Sequence, residues 1–184
     1  MTMDAPLKLH MVLLGGKPAG RLTEQHDIFF GIGKTINDLV PQMKKFWPDV
    51  NLHIDVWREV TCVGEFRIEV VPRAENTQPE KLFFLNLGGY KPGEFEEYHY
   101  KELVVARSMA DAIKQAKGTA FYKEFGFDGA VSHIDNKYGI DVDDAFEVTD
   151  IFDLFTKAQY ALKITTGETA PDALHIGYLP LKSL

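Results

Sequence analysis

One cysteine stands in 184 residues, Cys62, so no intramolecular disulfide can form and no thiolate cluster can hold a metal. That usage suits a reducing compartment. Positive charge is also scarce: 20 Lys and Arg face 27 Asp and Glu, for a formal net charge of −7. Such a balance argues against a nucleic-acid backbone or an anionic membrane surface as partner. No apolar run approaches the roughly 20 residues that a membrane-spanning helix needs. Met1 to Pro6 is short and polar, and Met11 to Leu14 is too brief for the core of a secretory leader. The expectation is therefore a soluble cytoplasmic protein with neither nucleic acid nor membrane as partner. Hydrophobic residues make up 45% of the chain, enough for a folded core at this length.

What the chain does have is a repeated text. Residues Lys8 to Lys44 align with Lys81 to Lys117 without a gap at an offset of 73, and 11 of the 37 pairs are identical. Chance pairing of ordinary compositions gives roughly two or three. The shared letters include Gly15/Gly88, Gly16/Gly89, Gly20/Gly93, Glu24/Glu97 and His26/His99. Further on, His53-Ile54-Asp55 recurs as His133-Ile134-Asp135 at an offset of 80, and Glu59-Val60-Thr61 as Glu147-Val148-Thr149 at 88. Phe66-x-Ile68-x-Val70 resembles Tyr160-x-Leu162-x-Ile164 at an offset of 94. The growing offset assigns insertions to the second copy, at about 118–131, 136–146 and 152–159.

Each copy opens with an apolar strand that runs into Gly-Gly, read here as a sharp exit from the sheet. A second strand follows, His26 to Ile32 and His99 to Ala106. Then comes a hydroxyl residue in a helix N-cap position, Thr35 or Ser108, with Asp38 or Asp111 three residues on, the logic of a capping box. Met109, Ala112, Ile113 and Ala116 form one helical face; Ile36, Leu39, Val40 and Met43 form another, interrupted by Pro41, which predicts a kink or a late start. The fold expected is α+β: tandem duplicated β-β-α-β-β units with a mainly antiparallel sheet and a pseudo-twofold relation. Residues 1–72 form the first copy, 73–80 a polar linker, and 81–184 the second copy with its insertions and a C-terminal strand.

The matched polar letters are the candidate site. Glu24-x-His26, His53-x-Asp55, Glu97-x-His99 and His133-x-Asp135 each have the i, i+2 spacing that turns both side chains to one face of a strand. Each copy thus offers two imidazoles and two carboxylates, a donor set for zinc, manganese or iron. The simpler reading is structural, because a histidine at a strand entrance often anchors itself on a carboxylate or a backbone carbonyl. Other features carry less. Gly15-Gly16-Lys17-Pro18-Ala19-Gly20-Arg21 has the ingredients of an anion nest but lacks the Gly-Lys-Ser/Thr ending of a phosphate loop, so turn geometry is the expected reason for its glycines. Asp141, Asp143 and Asp144 lack the glycine and the terminal glutamate of an EF-hand and read as a solvated turn. Phe121, Tyr122, Phe125 and Phe127 read as core cover, with a groove or a homodimer contact as the alternative.

The combination Leu-Gly-Gly…Glu-x-His…His-Ile-Asp, present twice, resembles a small bacterial family of uncharacterised proteins. The likeness spans most of residues 7–150. It implies a soluble bacterial protein whose defining domain occurs once or twice per chain, and it brings no catalytic residues with it. No motif fixes a reaction, so the reading is a non-enzymatic ligand-binding or structural protein of two copies. A metal-dependent hydrolytic enzyme and a homo-oligomeric assembly protein are the alternatives. No cofactor is expected beyond a divalent metal at the His/carboxylate sets, and the small-molecule ligand is left open.

Overall fold

A computed structural model describes residues 5–75, 78–90, 93–118, 140–167 and 170–184. The chain divides into two compact units, Met1–Asn76 with Phe152–Leu184, and Thr77–Ile151. Its class is α+β, with antiparallel pairing in the sheets and a few short helices. No described helix is long and apolar enough to cross a membrane.

In the first unit β1 (Lys8–Gly16) lies between β2 (Gln25–Gly33) and β3 (His53–Val60), and β10 (His175–Pro180) extends the sheet beyond β3. A second sheet holds β4 (Cys62–Val63), β5 (Phe66–Pro72) and β9 (Tyr160–Thr166). β1 reads as an almost unbroken apolar run because it is the inner strand: Leu9, Val12 and Leu14 are all buried. Asp38 accepts hydrogen bonds from the Thr35 and Lys34 amides, which hold its carboxyl below the usual range. The late helix start expected from Pro41 is observed. A 3-10 turn, Ile36–Leu39, precedes α1 (Val40–Phe46), and the proline falls in the first helical turn, where no amide partner is lost.

Ile36, Leu39 and Met43 pack onto Val12, Leu14, Phe29 and Ile54 to form the core beneath the sheet. Leu39 is fully buried there. Leu39→Ala should therefore cost about 2–5 kcal/mol through lost transfer energy and the cavity left behind, read as a lower midpoint in chemical denaturation.

On β1 the His10 ring is also fully buried. Its Nδ1 lies 3.2 Å from the Lys8 carbonyl, so that nitrogen carries the proton and donates. Burial lowers its pKa below the ordinary 6.5. The unfolded chain therefore takes up a proton near pH 6.5 while the folded one does not. Stability should fall as pH drops below that value and level off beneath the folded pKa. His10→Leu should flatten that part of the slope when unfolding free energies at pH 7.5 and pH 5.5 are compared.

The C-terminal segment corrects the expected division of the chain. Residues 152–184 do not complete the second copy. β9 pairs with β5 and β10 with β3, both within the first unit. The likeness of Phe66-x-Ile68-x-Val70 to Tyr160-x-Leu162-x-Ile164 is that of cross-strand neighbours, with Ile68 opposite Ile164 and Val70 opposite Leu162. Apolar partners on one face of an antiparallel pair stabilise each other, which explains matching patterns so far apart in sequence.

The second unit has β6 (Lys81–Tyr90) between β7 (Glu97–Ala106) and β8 (Ile140–Glu147). Ser108 caps α2 (Met109–Ala116) by accepting from the Asp111 amide at 3.1 Å. Ala112 and Ala116 are buried against Phe83, Leu85, Leu87 and Val104, with Met109 and Ile113 beside them, as the helical spacing predicts. β8 falls where the repeat assigned an insertion, at 136–146, and takes Asp141, Asp143 and Asp144 out of the turn expected for them. His133, Asp135 and the aromatic residues Phe121, Tyr122, Phe125 and Phe127 lie outside the described residues.

Candidate metal centre

The site begins with a break in a ladder. β1 and β3 pair regularly down to Leu13 and Val56, and then the register jumps to Leu14 and Ile54. Asp55 is left over as a bulge residue. A bulge bends the strand and re-aims its side chains, and here Asp55 and His53 share one locus. β2 pairs with the other side of β1, with His26 opposite Gly15, while His53 is opposite Gly15 from β3. Two imidazoles from different strands thus flank one glycine. Glu24 reaches in from just ahead of β2.

The donor atoms converge. His53 Nε2 lies 3.2 Å from Glu24 Oε1 and 3.3 Å from Asp55 Oδ2. His26 Nε2 lies 3.2 Å from Asp55 Oδ2 and 4.0 Å from Glu24 Oε2. The Glu24, His26 and His53 donors all fall within 4.8 Å of one another. Donors bound at about 2.0–2.2 Å to one tetrahedral ion stand roughly 3.3–3.6 Å apart; the three contacts at 3.2–3.3 Å approach that spacing, and the 4.0 Å between His26 and Glu24 exceeds it. The His53 side chain is only 4% exposed, whereas those of Glu24 and His26 are 45% exposed. The cluster is closed at its β3 side and open at its β2 side.

The imidazole–carboxylate contacts at 3.2–3.3 Å are ion pairs when the histidines are protonated, as an anchoring role would have them. His53 Nε2 and Asp55 Oδ2 are buried, and neither has a hydrogen-bond partner among the described residues. Leaving a buried polar atom unmatched costs about 1–3 kcal/mol. The two atoms lie 3.3 Å apart, a spacing that an ion pair or a shared cation can both occupy. The Tyr178 ring, carried in on β10, packs on His53 with centroids 4.4 Å apart. It fixes the imidazole plane from the C-terminal segment.

Gly15 has a different reason from the turn expected for it. Gly15 and Gly16 are strand residues, and their φ is not in the positive range, unlike that of Gly20 in the following loop. A Cβ at Gly15 would stand 2.3 Å from His53 Nε2 and 2.7 Å from Asp55 Oδ2. The residue is glycine because the donors occupy the space of its side chain.

In the second unit the structure brings together Glu97, His99 and Asp143, whose donors also lie within 4.8 Å of one another. The β6/β8 register jumps between Asn86/Asp144 and Leu87/Val142, leaving Asp143 as the bulge residue. Asp143 is the member that sequence reading missed. The Glu-Val-Thr match at an offset of 88, carried back along the strand, pairs Asp55 with Asp143 and so contained the signal. The three-letter His-Ile-Asp match at 80 competed with it.

Residues 21–70, which contain Glu24, His26, His53 and Asp55, match the family described as Domain of Unknown Function (DUF1543). No curated protein matches the sequence. Among solved structures the chain is similar to the crystal structure of a protein Il1583 from Idiomarina loihiensis. That likeness has a TM-score of 0.64 at 24% identity and covers 95% of this chain and 97% of that one. It is a likeness of fold.

Proposed function

We propose that this protein binds a divalent transition metal in its first unit, through His53, Asp55, His26 and Glu24. The observation that carries the reading is the convergence of the Glu24, His26 and His53 donors within 4.8 Å of one another, with Asp55 Oδ2 at 3.2 Å and 3.3 Å from the two imidazoles. Two imidazoles with two carboxylates suit zinc, manganese or iron, and the absence of thiolate among them argues against copper(I). Zn2+ would find its tetrahedron complete with four protein donors, whereas a six-coordinate ion would keep positions for water toward the exposed Glu24 and His26. A bound water of that kind is the reagent of metal-assisted hydrolysis. Metal identity thus separates a binding role from a hydrolytic one.

The two units read as copies of one β-β-α-β arrangement. Supporting this are the identities at an offset of 73, the matching strand orders β3-β1-β2 and β8-β6-β7, and a bulge at an aspartate in both. The Leu-Gly-Gly and Glu-x-His letters are then the part of the repeat that builds the cluster. The single cysteine and acidic balance suit a bacterial cytoplasm.

The test is metal analysis of protein purified without chelators, by plasma mass spectrometry, followed by titration of the stripped chain. The expected result is a tightly held equivalent of zinc, manganese or iron that chelator removes and added metal restores. A stripped chain that takes up none of the three at micromolar concentration would refute the reading.

A further inference from the structure

We infer that the second unit holds its own cation site, Glu97–His99–Asp143, built for a harder ion and weaker than the site of the first unit. The inference rests on the metal reading of the first unit but stands on separate residues. His99 Nε2 lies 3.4 Å from Asp143 Oδ2 and 3.9 Å from Glu97 Oε2. The ligand atoms of the three residues all lie within 4.8 Å of one another, close enough to converge on one cation. The cradle repeats too. A Cβ at Gly88 would stand 2.1 Å from Asp143 Oδ2, so the strand is hollowed at the same place to seat a bulged carboxylate.

The difference between the sites lies in one ligand. In the first unit His53 stands opposite Gly15. In the second, the position opposite Gly88 is Asp141. Among the described residues one imidazole therefore serves this site where two serve the other, and oxygen donors outnumber it. Oxygen-rich sets favour Mn2+ and Mg2+ over zinc. Exposure points the same way: the His99 side chain is 35% exposed against 4% for His53, so this ion stays closer to water. Lys101, exposed and two residues along β7 from His99, puts a positive charge on the same strand face. A like charge beside a cation lowers its affinity.

The test is Mn2+ titration of the full stripped chain, followed by electron paramagnetic resonance, with Asp143→Asn, His99→Ala and Asp55→Asn alongside. Wild-type protein should bind two Mn2+ ions, the second at least about 10-fold more weakly, the smaller end of what loss of a supporting ligand costs. Asp143→Asn and His99→Ala should each remove the weaker ion and leave the tighter one. Asp55→Asn should do the reverse. One equivalent in wild type, or two in Asp143→Asn, overturns the inference. If Asp55→Asn leaves both ions in place, the first-unit reading fails instead. Far-ultraviolet circular dichroism of each variant checks that lost binding is not lost folding.

Discussion

Gly15→Ala should sharply weaken the metal uptake proposed for the first unit, although the change adds a single methyl group and replaces no donor. The added carbon would lie 2.3 Å from His53 Nε2 and 2.7 Å from Asp55 Oδ2, both well inside contact distance. His53 is nearly fully buried and braced by Tyr178, so it cannot swing out to make room. Either the imidazole turns or the strands part, and both move a donor by more than a metal site tolerates. We expect affinity to fall at least about 100-fold, beyond the 10–100-fold typical of losing an outer-shell partner. Gly20→Ala is the control. Gly20 has φ of 79° and nothing near its missing Cβ, so alanine there strains the backbone without reaching the cluster. That variant should lose about 1 kcal/mol of stability and bind metal normally. Equal metal affinity in Gly15→Ala and wild type would show that the glycine answers only to the strand.

Asp55→Asn gives the second large effect, and it separates a metal site from a structural anchor. The amide keeps the shape of the carboxylate and removes its charge. In an anchor the exchange breaks a charge-assisted pair, and the metal-free protein loses stability. In a metal site the Asp55 carboxylate serves the ion rather than the fold, and its buried Oδ2 has no hydrogen-bond partner among the described residues, so the exchange leaves metal-free stability nearly unchanged. The metal-bound state behaves differently. A ligand at a thousand times its Kd adds about 4.1 kcal/mol to wild-type stability. For a chain of this size that is a Tm increase of roughly 8–16 °C. Asp55→Asn should show no such increase when metal is added. Thermal denaturation of both proteins, stripped and metal-loaded, measures all four terms of the comparison.

Much of this was legible in the residues. The capping pairs Thr35/Asp38 and Ser108/Asp111, the late helix start at Pro41 and the strands around the Gly-Gly pairs follow from local rules that need no knowledge of the rest of the chain. Glu24, His26, His53 and Asp55 were legible as a set because their letters recur later in the sequence. What escaped was non-local. The bulges at Asp55 and Asp143 are properties of how two strands register, and no single strand announces them. Gly15 read as a turn residue because the side chains filling its space come from another strand. The return of β9 and β10 to the first unit was hidden because apolar alternation specifies a face and not a partner. The His-Ile-Asp match at residues 133–135 drew the copy-two assignment away from Asp143, which holds the ladder position of Asp55.

The most direct measurement is X-ray absorption at the zinc edge, on stripped Asp143→Asn protein loaded with one equivalent of Zn2+. The account predicts a first shell of two imidazole nitrogens and two carboxylate oxygens at about 2.0–2.2 Å, with the outer-shell scattering of two rings. A shell of oxygens alone, or a single imidazole, would contradict a centre built on His26 and His53.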